Sequence, residues 1–84
     1  MSKRIIVGVR ISNRVKEVPA VQQVFTEFGC NIRTRLGLHQ EVGEACTLCG
    51  LIILEMTDLE RVDEMERILQ GIEGVEVQKM IFEC

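Results

Sequence analysis

Residues 51–77 have the sequence LIILEMTDLERVDEMERILQGIEGVEV, which joins the pattern of a strand directly to that of a helix. The first four residues are all apolar, and this is typical of a central strand, predicted here over 51–56. Thr57 and Glu60 have capping-box spacing, which predicts a helix with Thr57 as its N-cap. Its apolar face is expected to consist of Leu59, Val62, Met65, Ile68, Leu69 and Ile72.

A further strand is predicted after this helix, over residues 75–82. Gly71 and Gly74 favour the end of the helix, because glycine readily adopts the backbone conformations found there. The inward face of this strand stays open at this point. Two sets of apolar residues compete for it, namely Val75, Val77 and Ile81 against Met80 and Phe82. The stretch therefore predicts a β-α-β unit.

The first half of the chain repeats the same order. Residues 4–11 alternate as in a strand, with Ile5, Val7, Val9 and Ile11 on one face. A helix is predicted next, with Pro19 in its first turn, where the missing N–H is harmless. Gly29 favours the end of that helix, and a second strand is predicted over 31–38. The apolar helical positions are Val18, Val21, Val24, Phe25 and Phe28.

Two β-α-β units in succession predict a ferredoxin-like βαββαβ fold, an α+β two-layer sandwich in one domain over residues 1–84. Right-handed crossovers then place the antiparallel strands in the order 4-1-3-2. The turn at 12–14, the segment 39–50 and the turn at 71–74 share one end in this topology. Cys30 and Cys84 are expected at the opposite end, on opposite edge strands.

The outer face, the side of the sheet turned away from the helices, is predicted to carry both charged and apolar residues. The charged set consists of Arg10, Arg33, Arg35 and Glu55. A solvated or partner-facing ion network is expected among them, and an anion site is the alternative. The apolar set consists of Ile6, Leu51 and Ile53. This apolar area favours dimerisation, which would also stabilise so small a domain.

Composition argues against several classes of function. The chain has 84 residues and a formal net charge of −3, with three Phe, no Trp and no Tyr. A protein that binds nucleic acid through its phosphates is normally basic and often offers aromatic platforms, so direct nucleic-acid binding is not expected. No apolar run approaches the roughly 18 residues of a membrane span. Residues 1–4 lead directly into a predicted strand and show no signal-peptide cleavage site, so a cytoplasmic location is expected.

The segment 39–50 contains a Cys-x-x-Cys pair, Cys46 and Cys49. Two thiolates at this spacing suit zinc or an iron–sulfur cluster, but either centre normally takes four ligands. One chain offers these two cysteines and His39, which is one ligand short. We therefore expect any metal or cluster to be shared across a two-fold dimer. Two alternatives stay open: inert loop thiols, or a redox disulfide, although a redox pair usually lies at a helix N-terminus.

Several motifs resemble a known family. The segment 69–77, LQGIEGVEV, looks like the end of an ACT domain, where a helix meets the last strand. The segments 4–9, 13–14 and 27–38 resemble the iron-only hydrogenase system regulators, an ACT-like family, and the resemblance to that family covers nearly the whole chain. The resemblance implies an ACT-like fold and a regulatory role linked to a hydrogenase.

In ACT domains a small ligand commonly binds at the turn between the first strand and helix, near a dimer interface. The resemblance therefore implies a ligand site at Ser12, Asn13 and Arg14, although this turn lacks the glycine that many amino-acid-binding members have.

We thus expect a non-enzymatic sensor module that acts as a homodimer or higher homo-oligomer with a protein partner. The alternative is a structural dimerisation or interaction domain with an inert Cys-x-x-Cys and no ligand. The arrangement of residues supports no catalytic triad, because the single histidine has no predicted residue to orient it.

Overall fold

The computed structural model describes residues 3–38 and 50–83, except for the side chains of residues 14 and 15. The strands are β1 (Lys3–Ile11), β2 (Ile32–Leu38), β3 (Gly50–Met56) and β4 (Val75–Glu83). The helices are α1 (Arg14–Glu27) and α2 (Leu59–Gln70), and a short 3₁₀ helix covers Gly29–Asn31. All neighbouring strands pair antiparallel in the order β2-β3-β1-β4. The predicted ferredoxin-like sandwich and its strand order are confirmed.

The core lies between the sheet and the two helices. Ile5, Val7, Val9 and Ile11 are all buried, so the predicted inward face of β1 is confirmed. Both helices bury most of their predicted apolar stripes in this core, but Ile68 of α2 is 42% exposed, so its predicted place on the buried face was wrong. The further buried residues are Val21, Val24 and Phe25 from α1, Phe28 directly after it, Val62, Met65 and Leu69 from α2, and Leu54, Met56 and Val77 from the sheet.

The N-cap of α2 is Asp58, so the prediction of Thr57 was wrong by one residue. Asp58 has an extended backbone and its carboxylate accepts a hydrogen bond from the Glu60 N–H at 2.9 Å. Thr57 instead donates its backbone N–H to the Asn31 carbonyl at 2.9 Å. The Thr57 hydroxyl also donates to the Asn31 carbonyl, at 3.4 Å, so Thr57 ties β3 to the segment before β2 and the Asp58 side chain caps the helix instead.

Pro19 lies in the second turn of α1, so its predicted place in the first turn was also wrong. Asn13 caps the helix earlier than the apolar pattern indicates, because its side-chain oxygen accepts from the Lys16 N–H at 3.2 Å. Its carbonyl accepts from the Glu17 N–H at 3.0 Å. A polar cap, and not the first apolar residue, therefore determines where α1 begins.

A β-bulge in β2 changes which side chains reach the outer face. The register with β3 shifts between Ile32 and Thr34, and Arg35 then pairs with buried Leu54 on the helix side. The Arg35 guanidinium lies 5.0 Å from the centre of the Phe25 ring. The prediction that Arg35 shares the outer face with Glu55 was therefore wrong, because one extra residue reverses the alternation that follows.

The sequence does not decide which residues of β4 face the helices, but the contacts of this strand do. Val77 is buried under the helices, and Lys79 on the same side donates to Glu66 at 2.6 Å and to Asp63 at 2.9 Å. Met80 and Phe82 therefore lie on the outer face. Among the described residues, no helix is long and apolar enough to span a bilayer.

We expect the ion pair of Arg4 with Glu55 on the outer face to make stability depend on pH. The hydrogen bond from Arg4, reinforced by the charges of Arg4 and Arg33, lowers the pKa of Glu55 below its ordinary value of 4.5, against a smaller opposing effect of burial. A lowered folded-state pKa stabilises the protein above the unfolded-state pKa, and this contribution is lost as the pH falls through the folded-state value. Urea unfolding between neutral pH and about pH 3 measures the loss.

Arg4→Met should make the decline in unfolding free energy with acid less steep. Arg67→Met, at an exposed position of α2, should leave that decline as in the wild type. Identical profiles for wild type and Arg4→Met would contradict a role for this pair.

Candidate functional site

Two turns meet at one end of the sandwich. The Ser12 N–H donates to the Gly74 carbonyl at 3.0 Å, which joins the β1–α1 turn to the α2–β4 turn. Gly50, at the start of β3, pairs with Ile11 beside them. The predicted meeting of these segments is confirmed as far as the described residues extend. The implied ligand turn of Ser12 and Asn13 is part of this end.

Glu17 is a buried acidic residue at this end, with only 7% of its surface exposed. Its carboxylate accepts from the Asn13 N–H at 3.0 Å, and the Ser12 hydroxyl lies at 3.3 and 3.5 Å from the two carboxylate oxygens. The negative charge also lies at the N-terminus of α1, where the helix dipole favours it. Glu17 was not predicted from the sequence as a site residue. Its signal is a glutamate four residues after the cap Asn13, one residue beyond capping-box spacing.

Gly74 completes the arrangement, because its φ of +85° is a backbone conformation that residues with a side chain rarely adopt. A Cβ built there would lie 1.9 Å from a Glu17 carboxylate oxygen and 2.5 Å from the Ser12 hydroxyl oxygen. We call Ser12, Asn13, Glu17 and Gly74 the turn cluster. The Asn13 N–H and the Ser12 hydroxyl of this cluster already donate to the Glu17 carboxylate. An anion that bound to these donors would therefore have to displace the carboxylate.

A groove of about 230 Å³ opens between α1 and the edge of the sheet near the same end. It is lined by Val18 and Gln22 of α1 and by Arg35 and Gly37 of β2, with Ile11 and Gly50 connecting it to the turn cluster. The Arg35 guanidinium carbon lies 5.0 Å from the centre of the Phe25 ring, within the range of a cation–π contact. The groove thus combines apolar walls, a cation and an amide, which suits a small ligand with an anionic group.

The remaining predicted site residues are the possible metal ligands and Arg14. Cys46, Cys49 and His39, together with the side chain of Arg14, are outside the described residues. A shared zinc or iron–sulfur centre therefore stays a prediction. Within residues 3–38 and 50–83, no group of three or more His, Cys, Asp or Glu could hold a metal ion. Cys30 is an exposed free thiol in the 3₁₀ helix.

Solved structures share this fold. An uncharacterised protein from Thermotoga maritima superposes with a TM-score of 0.82 at 22% identity, covering 96% of this chain and 99% of that one. The ACT domain from the GTP pyrophosphokinase of Chlorobium tepidum gives 0.69 at 14% identity, covering 95% of this chain and 89% of the domain. The chain therefore has an ACT-like ferredoxin fold.

A third similar structure is a nitrogen regulatory PII-like protein from Thiomonas intermedia, bound to ADP, AMP and bicarbonate. Its TM-score is 0.62 at 10% identity, and the match covers 98% of this chain and 92% of that one. No family model matches the sequence, and no curated protein matches it significantly.

Proposed function

We propose that this chain is a small regulatory module that binds a small anionic ligand in the groove beside the turn cluster. The observation that carries the proposal is the position of Arg35 and Gln22 in a groove at the turn end of an ACT-like fold. The ACT and PII-like structures that share the fold support a sensing role over catalysis. We also propose that the module is not an enzyme and acts as a homo-oligomer.

The ligand is expected to meet Arg35 and not the turn donors. Asn13 and Ser12 already donate to Glu17, and displacing a buried carboxylate costs the full desolvation of a charged group. The groove is smaller than the roughly 300–1,000 Å³ typical of drug-sized ligands. An amino acid or a comparably small carboxylate or phosphate fits this volume best.

The proposal is tested by screening such ligands with Arg35→Met and Arg33→Met as matched variants. We expect Arg35→Met to weaken binding about tenfold to a hundredfold, since a hydrogen bond to a charged group contributes roughly 1.5–3 kcal/mol. Arg33→Met removes the same charge two residues away at the bulge, on the other side of β2, and should change affinity less than about threefold.

Calorimetric titration with single amino acids, AMP, ADP and bicarbonate measures these affinities. Equal losses in the two variants would show that only overall charge matters and would contradict a site at Arg35. Failure of every small anion to bind the wild type would overturn the proposed ligand class.

We further propose that the regulatory role belongs to an iron-only hydrogenase system. It is supported by the resemblance of segments 4–9, 13–14 and 27–38 to that family of regulators. The second candidate is a structural interaction module without a ligand. The exposed apolar outer face favours this candidate, and the ligand titrations distinguish it from a sensor.

A further inference from the structure

The outer face of the sheet carries a central band of apolar residues, flanked by the ion pairs of Arg4 with Glu55 and of Arg10 with Glu76. Leu36, Met80 and Phe82 are each more than half exposed there, although they are large hydrophobic residues. Strand register joins them to neighbours on the inner strands, because Leu36 pairs with Ile53 and Met80 pairs with Ile6. The further apolar members of this face are Leu38 and Leu51. A continuous apolar surface of this kind marks an interaction site.

Gly8 lies at the centre of this face, on the inner strand β1, where it pairs with Ile53 on one side and Gln78 on the other. A Cβ at this position would meet no atom closer than 3.8 Å, and its φ is not in the left-handed region. The fold of a single chain therefore does not require glycine here. Glycine inside a strand often marks close approach by another backbone or a ligand.

The missing side chain leaves a hollow of about 250 Å³ in the outer face. It is lined by Gly8, Arg10, Leu51, Glu76 and Gln78. The same face thus carries both a hollow and protruding apolar side chains, and a surface with both features can be complementary to itself.

Two ion pairs on this face lie within the chain. Arg10 donates to Glu76 at 2.9 Å, and Arg4 donates to Glu55 at the opposite end of the face. The acidic residues of α2 lie on the other layer, so two sheets stacked by their outer faces would keep these acidic helices far apart. Two copies can therefore meet here despite a net charge of −3 on each.

The area is adequate for a specific contact. Four strands about 4.8 Å apart, with about 3.3 Å per residue, present on the order of 500 Å² per copy. Two copies would bury about 1,000 Å² in total, the lower bound for a specific interface. Sheets with apolar faces commonly pack in this way, about 10 Å apart.

We propose that the outer face packs against the same face of a second copy of this chain, with the Gly8 hollow receiving an apolar side chain of that copy. The inference rests on the homo-oligomer of the proposed function and identifies its surface.

The test compares Gly8→Val with Gly37→Val by sedimentation over a range of protein concentrations. Valine at residue 8 fills the hollow, and we expect the dissociation constant of the oligomer to rise at least about tenfold, as for a central interface residue. Gly37 is also a strand glycine with ordinary φ and nothing within 4 Å of a built Cβ, but it pairs with Ile52 on the helix side. Its valine variant should dissociate as the wild type does.

Leu36→Lys tests the same surface even if Gly8→Val does not fold, because the Leu36 side chain is exposed and its replacement should not disturb the core. It should also dissociate the oligomer, with unchanged thermal unfolding of the separated chains. An oligomer that withstands both Gly8→Val and Leu36→Lys overturns this surface and leaves the ligand proposal standing. If the wild type is a monomer, the proposal that a second copy covers the outer face is wrong. Ligand titration of that monomer still tests the Arg35 site separately.

Discussion

Replacing Gly74 by alanine should destabilise the protein by about 2–5 kcal/mol, through strain and through loss of the turn cluster. A left-handed backbone costs a residue with a side chain roughly 1–2 kcal/mol. The new Cβ would also overlap the Glu17 carboxylate, since their separation would be only 1.9 Å. Moving that buried carboxylate away from the Asn13 N–H costs roughly 1–3 kcal/mol more.

Urea unfolding measures this effect, with Gly29→Ala as the matched control. Gly29 has nothing within 4 Å of a built Cβ and an ordinary φ, so its alanine variant should lie within about 0.5 kcal/mol of the wild type. The double variant Gly74→Ala, Glu17→Ala should lose less than the sum of the single losses, because the two residues share one contact. Equal stability of the two glycine variants would contradict the required left-handed turn.

Leu54→Ala should destabilise the protein by about 3–5 kcal/mol, within the range for truncating a buried leucine. Leu54 is fully buried on β3, where it pairs with buried Val7 of β1 and with Arg35 of β2. The cavity would lie in the middle of the sheet, where paired strands on both sides limit collapse of the backbone. A domain of this size has a total stability of only about 4–12 kcal/mol, so the variant should be close to unfolding.

Ile68→Ala is the control for this prediction, since Ile68 on α2 is 42% exposed. Its loss should stay below about 1 kcal/mol, because alanine favours the helix and little buried surface is removed. Thermal and urea unfolding of both variants give the comparison. A loss for Leu54→Ala no greater than that of Ile68→Ala would contradict a close-packed sheet core at β3.

Most of the fold could be predicted because its elements are defined by neighbouring residues. Residues 5, 7, 9 and 11 alternate strictly, and the helical stripe of α2 follows a recognisable cap. The error at Thr57 arose because two adjacent polar residues can both cap a helix, and only their other hydrogen bonds decide between them. Pro19 was misplaced because Asn13 caps α1 before the first residue of its apolar stripe.

The candidate site was predicted only in part. Ser12 and Asn13 were expected at the ligand turn, and they lie in the turn cluster. Arg35 was expected on the outer face, but the bulge in β2 places it over Phe25 in the groove. A bulge has no dependable local signature, and one extra residue is enough to move every later side chain to the opposite face.

The amino-acid sequence alone determined the order of strands and helices, the apolar face of β1 and the topology of the sheet. These follow from periodicity and capping, which act over about four residues, and from general rules of chain connection. Only the tertiary structure decided that Glu17 is buried against Gly74, that Arg35 faces the groove and that Gly8 leaves a hollow. Each of these depends on contacts between segments distant in the chain, because burial and close approach are properties of packed surfaces and not of local sequence.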